Sequence, residues 1–257
     1  MRPRLQRIAW LLLSFVVGGG LVAGWQAIAD ARLISPVYLP GPQAAWDVLT
    51  DGFESGDLQP LLYATLERMF YGWLLASILG VFIGSSIGVS RHARELIGPT
   101  LEFIRPIPAS AVVPAAIALF GLTDGMVLGV IAFGAIWPLI LATVHGFAVV
   151  EPRLYEVSRL LGMTRSQFIR KVALPSAMPD ILAGMRISLT SSLILTIVGE
   201  ILAGRDGIGF WVLLSSRSFR SADVFAGVIL FGVIGYVSGQ MLSLVESRLL
   251  RWRDATR

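Results

Sequence analysis

The sequence contains no cysteine, two histidines and a single lysine. Without cysteine there is no disulfide, no thiolate metal site and no cysteine nucleophile. His92 and His145 are far apart, and neither belongs to an HExxH motif, so the usual zinc-protease signature is absent. Lys171 lies between Arg170 and Val172, whereas a Walker A loop requires Gly-Lys followed by Ser or Thr. If ATP drives this protein, another polypeptide binds the ATP.

Charged residues are also scarce. They make up 15% of the 257 residues, against about 25% in an average soluble domain. Hydrophobic residues make up 55%, and the mean hydropathy is +0.73. This composition indicates a membrane protein.

Six apolar segments are each long enough to cross a bilayer, which takes about 20 mostly apolar residues in a helix. They predict an all-α integral membrane protein with about six transmembrane helices. The segments are residues 8–29, 69–90, 101–122, 125–149, 179–203 and 222–245.

Two of these segments allow a second interpretation. The first has a basic start and ends in Ala29-x-Ala31, as a signal peptide does, although its apolar run is long for one. In the third, Pro106 and Pro108 predict a break near the membrane surface and a helix from about Ala109 onward. The alternative there is a proline-rich helix start at the interface.

Arginine and lysine are distributed unevenly between the segments that connect the spans. With the N-terminus inside, fourteen of them lie in inside segments and four in outside segments. The inside residues are Arg2, Arg4, Arg7, Arg91, Arg94, Arg153, Arg159, Arg165, Arg170, Lys171, Arg248, Arg251, Arg253 and Arg257, and the outside ones are Arg32, Arg205, Arg217 and Arg220. Because positive residues flank membrane helices mainly on the cytoplasmic side, both termini are predicted to be cytoplasmic. The same distribution explains the net charge of +4 without a nucleic-acid partner.

These predictions divide the chain into three parts. Residues 1–60 hold the first span and an acidic extracytoplasmic segment, residues 61–249 form the transmembrane core, and residues 250–257 form a cytoplasmic tail.

The inside segment of residues 151–175, between the fourth and fifth spans, has its own helix signals. Pro152 fits the first position of a helix, and Gly162 fits the position where that helix ends. Thr164 and Gln167 have capping-box spacing for a second helix, which Pro175 is expected to end.

The first of these helices carries an apolar stripe. Val157, Leu160 and Leu161 share one face of it, and outside a bilayer such a stripe needs a protein partner or the membrane surface. In the alternative interpretation the segment lies on anionic membrane lipid, held by its basic residues. Those residues are Arg159, Arg165, Arg170 and Lys171.

The residues of this segment carry a resemblance to a known family. The pattern Glu156-Val157-Ser158, three residues, Gly162, followed by Leu174-Pro175, resembles the EAA loop of permease subunits of binding-protein-dependent ABC importers. In that family two alanines follow the glutamate, and here Val157 and Ser158 replace them. Further segments look like the nitrate, taurine and aliphatic-sulfonate branch: residues 105–114, Phe120-Gly121, residues 184–186, Gly199-Glu200 and residues 207–209.

The resemblance implies a mechanism and a set of partners. The coupling helix of the loop would dock on a separate ABC ATPase, which binds ATP and Mg²⁺, while this chain binds no cofactor. A second permease subunit, expected to be a copy of this chain, and an extracytoplasmic solute-binding protein would complete an importer for a small anionic solute in the bacterial inner membrane. The residues implied in coupling are Glu156, Val157, Ser158, Leu160, Leu161, Gly162, Leu174 and Pro175.

Polar residues within the spans are candidates for the translocation pathway, since ionisable groups in a bilayer are costly and usually mark a pathway or a pairing. Glu200 is either a gate residue or an interfacial carboxylate paired with Arg205 or Arg68. Arg186 and Arg105 either attract an anionic solute or extend to the membrane surface. Ser192 and Thr196 either line the pathway or allow close helix packing.

Two other classes of function compete with an importer subunit. A secondary transporter driven by an ion gradient would often be larger, with visible repeat symmetry. A membrane enzyme would need a reactive constellation, and the sequence has no paired histidines and no clustered carboxylates at helical spacing.

Overall fold

The computed structural model describes residues 2–251, and the part it describes contains helices and no strand. The helices are α1 Arg2–Asp30, α2 Pro42–Ser55, α3 Leu58–Gly88, α4 Arg91–Ile104, α5 Ala109–Phe120, α6 Asp124–Ala148, α7 Pro152–Leu160, α8 Arg165–Phe168, α9 Leu174–Ala203, α10 Ile208–Arg217 and α11 Ser221–Leu249. A π-helical turn, Ile169–Ala173, joins α8 to α9. Residues 252–257, with most of the predicted tail and with Arg253 and Arg257, lie outside the described residues.

The predicted all-α membrane fold is confirmed. Five helices are long and apolar enough to cross a membrane: α1 from Leu12 onward, α3, α6, α9 with α8, and α11. A sixth candidate is the pair α4 and α5, which meet at an angle of 85°. The break predicted at Pro106 and Pro108 therefore exists, and α5 begins at Ala109 as expected.

The core is built on a close parallel contact between α3 and α6. Small residues recur every fourth position along one face of α3, a pattern that lets helix backbones approach closely. They are Gly72, Ala76, Gly80, Gly84 and Gly88. The four glycines face Ile131, Leu139, Thr143 and Phe147 of α6, and in each pair the α6 residue lies 59 positions later in the chain. A constant offset means that the two helices run in the same direction.

Helix α9 packs antiparallel to α6 and also contacts α3. Gly146 of α6 lies against Ala177 near the start of α9, and Gly199 near the end of α9 lies against Val127. A buried hydrogen bond of 2.7 Å from the Ser188 hydroxyl to the Ala135 carbonyl fixes the contact midway. Helix α9 therefore lies in the interior of the bundle, where any movement of it reaches several neighbours.

The alternating helix directions define two ends of the bundle. The end that holds residues 151–175, called the loop end, carries α4, α7 and α8. The opposite end carries α2 and α10. Helix α10 packs there against α3, α9 and α11, so the apolar run in residues 204–223 is folded back onto the bundle. Its helix has ten residues, too few to cross a bilayer.

The structure differs from the prediction at the start of α3 and in two additional helices. Helix α3 begins at Leu58, eleven residues before the predicted start, so Glu67 and Arg68 lie within it. Its polar residues are tolerated because Arg68 is paired with carboxylates of neighbouring helices. The two additional helices are both amphipathic: α2 lies in the predicted acidic segment, and α4 begins before the predicted third span and overlaps its first four residues.

Candidate functional site

Helix α7 begins and ends at the residues that the sequence indicated. Pro152 occupies its first turn, and Gly162 follows its end with a φ of +65°, a conformation that favours glycine. The amide of Gly162 donates to the carbonyl of Arg159, and the amide of Met163 donates to that of Ser158, both at 3.0 Å. These two bonds form a Schellman motif, which satisfies the last carbonyls of the helix.

The predicted capping box at the start of α8 is present. The Gln167 amide donates to the Thr164 hydroxyl at 3.3 Å, and the Thr164 amide donates to the Gln167 side-chain oxygen at 2.9 Å. The rings of Tyr155 and Phe168 also meet edge to face, with their centroids 5.3 Å apart, and join α7 to α8. The turn between the two helices is therefore fixed from both sides.

The prediction that Pro175 ends the second helix is wrong. The helix continues from Arg165 to Ala203, because α8 passes through the π-turn directly into α9. Within the turn the amide of Leu174 donates to Ile169, five residues earlier. This wider bonding pattern accommodates a proline, which lacks an N–H and would clash with the preceding α-helical turn.

The apolar stripe of α7 is exposed. Leu160 is 87% exposed, Leu161 73% and Val157 50%. Leu160 and Leu161 form a projecting apolar tip beside the Gly162 turn. Ser158 differs from these neighbours, since it is 4% exposed and donates to the Tyr155 carbonyl at 2.7 Å. The structure thus separates the predicted coupling residues into an exposed set and an internal serine.

The remaining predicted coupling residues of the segment are exposed or half-buried. Glu156 is exposed on α7, whereas Leu174 and Pro175 are half-buried where the segment enters the bundle. Leu174 packs with a cluster that contains Phe147 and Ala177. The four basic residues proposed for lipid contact, Arg159, Arg165, Arg170 and Lys171, are all exposed.

The predicted pathway residues are not brought together. Ser192 and Thr196 are fully buried, and each hydroxyl donates to a carbonyl four residues earlier in α9. Arg105 is exposed at the bend between α4 and α5. Arg186 is half-exposed and pairs with Glu246 of α11 at 2.5 Å. Packing therefore explains the two hydroxyls, and pairing explains Arg186.

The sequence did not identify the accessible face of α9. Ala183, Ile187, Thr190 and Ile194 recur at helical spacing and are exposed, although the rest of the helix is largely buried. Helix α5 packs beside α9 and exposes small residues of its own. These are Ser110, Ala111, Pro114, Ala115 and Ala118. The exposed face of α5 thus consists of small side chains, whereas that of α9 also carries the large apolar Ile187 and Ile194.

Glu200 lies at the opposite end and is completely buried. Its carboxylate pairs with Arg68 at 3.3 Å, one of the two partners expected. Arg205, the other expected partner, pairs instead with Asp124, at 2.5 Å. Because Glu200 has no exposed surface, the structure places it within a buried polar cluster.

Comparison with known proteins gives a consistent set of similarities. Residues 76–251 match the family described as "Binding-protein-dependent transport system inner membrane component". A putative aliphatic sulfonates transport permease protein of Bacillus subtilis (strain 168) is 33% identical over 99% of this chain and 92% of its own length. A taurine transport system permease protein of Escherichia coli (strain K12) is 28% identical over 90% of this chain and 86% of its own. A nitrate import permease protein of Leptolyngbya laminosa is 29% identical over 90% and 84%.

The fold is similar to that of solved transporters. A chain of the MetNI methionine ABC transporter in an inward-facing conformation superimposes with a TM-score of 0.66 at 19% identity, covering 76% of this chain and 94% of that one. A chain of an amino acid ABC transporter crystallised with histidines gives a TM-score of 0.61 at 20% identity, covering 79% and 97%.

Proposed function

Because this chain belongs to the family of binding-protein-dependent transport system inner membrane components, it is a permease subunit of an ABC importer, and we propose that residues 151–175 couple it to a separate ATPase. The exposed tip of Leu160 and Leu161 is the observation that carries this proposal. Two large apolar side chains in water are unfavourable, and a partner that buries both recovers about 25 cal/mol per Å² of apolar surface.

The construction of the segment supports a role in transmitting force. The Schellman motif and the capping box fix the turn, and the ring contact between Tyr155 and Phe168 ties α7 to α8. Beyond the turn, a continuous helix of 39 residues leads to the opposite end of the bundle. A displacement of α7 therefore moves α9, which lies against α6, α3 and α11. We expect ATP and Mg²⁺ to bind to the ATPase, since this chain has no Walker A loop.

The charge distribution supports an orientation with both termini and the loop end in the cytoplasm. The proposed ATPase contact then lies in the compartment that contains ATP. Helices α2 and α10 would face a solute-binding protein on the other side of the membrane. The structure describes these two helices and the loop end, but Arg253 and Arg257 of the tail lie outside its described residues.

We infer that the solute is a small oxyanion or a molecule that carries one. The relatives are named for aliphatic sulfonates, taurine and nitrate, all of which contain such a group. The exposed faces of α5 and α9 would line the pathway, where Thr190 contributes an exposed hydroxyl that donates to the Arg186 carbonyl at 3.4 Å. A single chain presents only one wall of such a pathway, so we propose that a second copy of the chain supplies the other.

The coupling proposal is tested on the purified complex with its ATPase. We expect the double variant Leu160→Ala and Leu161→Ala to insert normally and to lose most of the ATPase during purification. Leu96→Ala is the matched control, since Leu96 is also exposed at the loop end, on α4, and it is expected to retain the ATPase. A double variant that keeps the ATPase and transports normally would contradict the coupling role.

The solute proposal is tested on the cognate solute-binding protein. Calorimetric titration with nitrate, bicarbonate, taurine and an alkyl sulfonate is expected to give binding for at least one of them. Binding of neutral amino acids or sugars, with none of the anions, would contradict the proposal.

A further inference from the structure

Five polar side chains join three helices at the end of the bundle opposite the coupling segment. Thr65 and Arg68 belong to α3, Asp124 begins α6, Glu200 lies near the end of α9 and Arg205 follows it. We call this group the clasp. It also reaches α10, through backbone amides at the start of that helix.

Glu200 is the centre of the clasp. One carboxylate oxygen, Oε2, accepts a hydrogen bond from the Gly209 amide at 2.9 Å and another from the Thr65 hydroxyl at 3.2 Å. The other oxygen, Oε1, accepts from Arg68 Nη1 at 3.3 Å. The Thr65 oxygen in turn accepts from the Ile208 amide at 2.9 Å. A buried carboxylate is stable only when it is paired and hydrogen-bonded, and both oxygens of Glu200 meet that condition.

A second layer extends the clasp to α6. Arg68 Nε donates to Asp124 at 3.2 Å, and Nη1, which donates to Glu200, also donates to the Asp206 carbonyl. Arg205 donates to both oxygens of Asp124, at 3.1 and 2.5 Å. Bidentate arginine–carboxylate pairs hold two groups in a fixed relative orientation. Because Arg68 donates to both carboxylates, it links Glu200 of α9 to Asp124 of α6.

Two glycines leave the space that Glu200 occupies. A Cβ atom at Gly207 would lie 2.3 Å from the Glu200 carboxyl carbon, and one at Gly209 would lie 2.9 Å from Oε2. The backbone of α10 can approach the carboxylate only because both positions lack a side chain. The start of α10 therefore packs directly against this carboxylate.

We propose that Glu200 is a positioning residue that makes α3, α6 and α10 move together with α9 at the extracytoplasmic end. This inference rests on the proposed coupling through residues 151–175, since Glu200 lies at the far end of the helix that begins at Arg165. That helix is roughly 60 Å long at about 1.5 Å per residue. Without the clasp, a displacement of α8 would move α9 but not the extracytoplasmic ends of α3, α6 and α10.

Ser188, in the middle of α9, bonds the Ala135 carbonyl of α6, but two other buried hydroxyls of this helix have no partner in a neighbouring helix. Ser192 and Thr196 donate to carbonyls of their own helix, so their hydroxyls join α9 to nothing else. Glu200 accepts from two other elements, α3 and α10. Removing its charge should therefore affect transmission, whereas removing the hydroxyl of Ser192 or Thr196 should not.

The test measures the solute transported per ATP hydrolysed in proteoliposomes containing the whole importer. In Glu200→Gln and in Thr65→Val we expect the ATPase to stay bound and ATP hydrolysis to continue. Transport per ATP is expected to fall about tenfold in Glu200→Gln, the factor that corresponds to a lost charge-assisted hydrogen bond of about 1.4 kcal/mol. Thr65→Ser, which keeps the hydroxyl, and Ser192→Ala are expected to behave as the unmodified protein.

Two results would overturn the proposal. One is a normal ratio of transport to hydrolysis in Glu200→Gln. The other is a parallel loss of complex yield, hydrolysis and transport in both Glu200→Gln and Thr65→Val, which would show that the clasp only stabilises the fold. Failure of the coupling proposal is seen separately, as normal ATPase retention in the Leu160 and Leu161 double variant.

Discussion

Gly84 of α3 lies directly against Thr143 of α6, and the contact leaves no room for a side chain on the glycine. A Cβ atom at this position would lie 2.6 Å from the Thr143 Cβ and 3.0 Å from the Ile140 carbonyl oxygen. Both helices would have to separate to admit a methyl group. The α3–α6 contact is thus specified by backbone proximity as well as by apolar burial.

We predict that Gly84→Ala lowers the thermal stability of the purified permease. Overpacking a close helix contact typically costs about 1–3 kcal/mol, because neighbouring groups must move. Gly129→Ala in α6 is the matched control, since a Cβ atom there meets nothing within 4 Å. The melting temperature in detergent measures both, and an unchanged value for Gly84→Ala would contradict the packing argument.

Replacing Gly162 should weaken the association with the ATPase while leaving the membrane bundle intact. Its φ of +65° is strained for alanine by about 1 kcal/mol, and asparagine tolerates it better. We expect the affinity for the ATPase to decrease in the order Gly, Asn, Ala. Binding titrations of the three proteins measure it, and equal affinities would show that the turn does not position the apolar tip.

Ser158 should tolerate alanine but not leucine. The serine is buried, and the loss of its bond to Tyr155 costs about 0.5–1.5 kcal/mol, which the higher helix propensity of alanine partly offsets. A leucine has no space at a position that is 4% exposed. We expect normal ATPase retention in Ser158→Ala and a loss in Ser158→Leu. Reduced retention in the alanine variant would indicate that the hydroxyl contacts the partner.

The pair of Arg186 and Glu246 can be tested by exchanging the two residues. Each single charge reversal places like charges together between α9 and α11 and should lower the melting temperature, since even half-exposed pairs contribute up to about 1 kcal/mol. We expect the double exchange to restore both stability and transport. Restored stability with transport still low would instead assign Arg186 to attraction of the anionic solute.

The sequence predicted the helix signals of the coupling segment well. Pro152, Gly162 and the Thr164–Gln167 pair act through bonds to residues within a few positions, so their effect can be derived locally. The expected stop at Pro175 was wrong because a π-turn adapts the backbone around the proline.

Long-range relationships were harder to predict. The pairing of Glu200 with Arg68 was one of two alternatives, because partners separated by 132 positions depend on how α3 and α9 pack. The small residues from Gly72 to Gly88 recur every fourth position and could have identified the α3 packing face. Helix α2 starts with a proline and is followed by Gly56 as its cap. These two local signals indicate a helix within the acidic segment.

The π-turn between α8 and α9 also affects how the length of this chain can vary. Such a turn contains about one residue more than the same stretch of α-helix. One residue corresponds to about 100° of rotation about the helix axis. Deleting one residue within Ile169–Ala173 would convert the π-turn into ordinary α-helix. The orientation of α7 about the helix axis, relative to the buried face of α9, would then stay as it is in this structure. A deletion farther along α9 would turn that face away from α6.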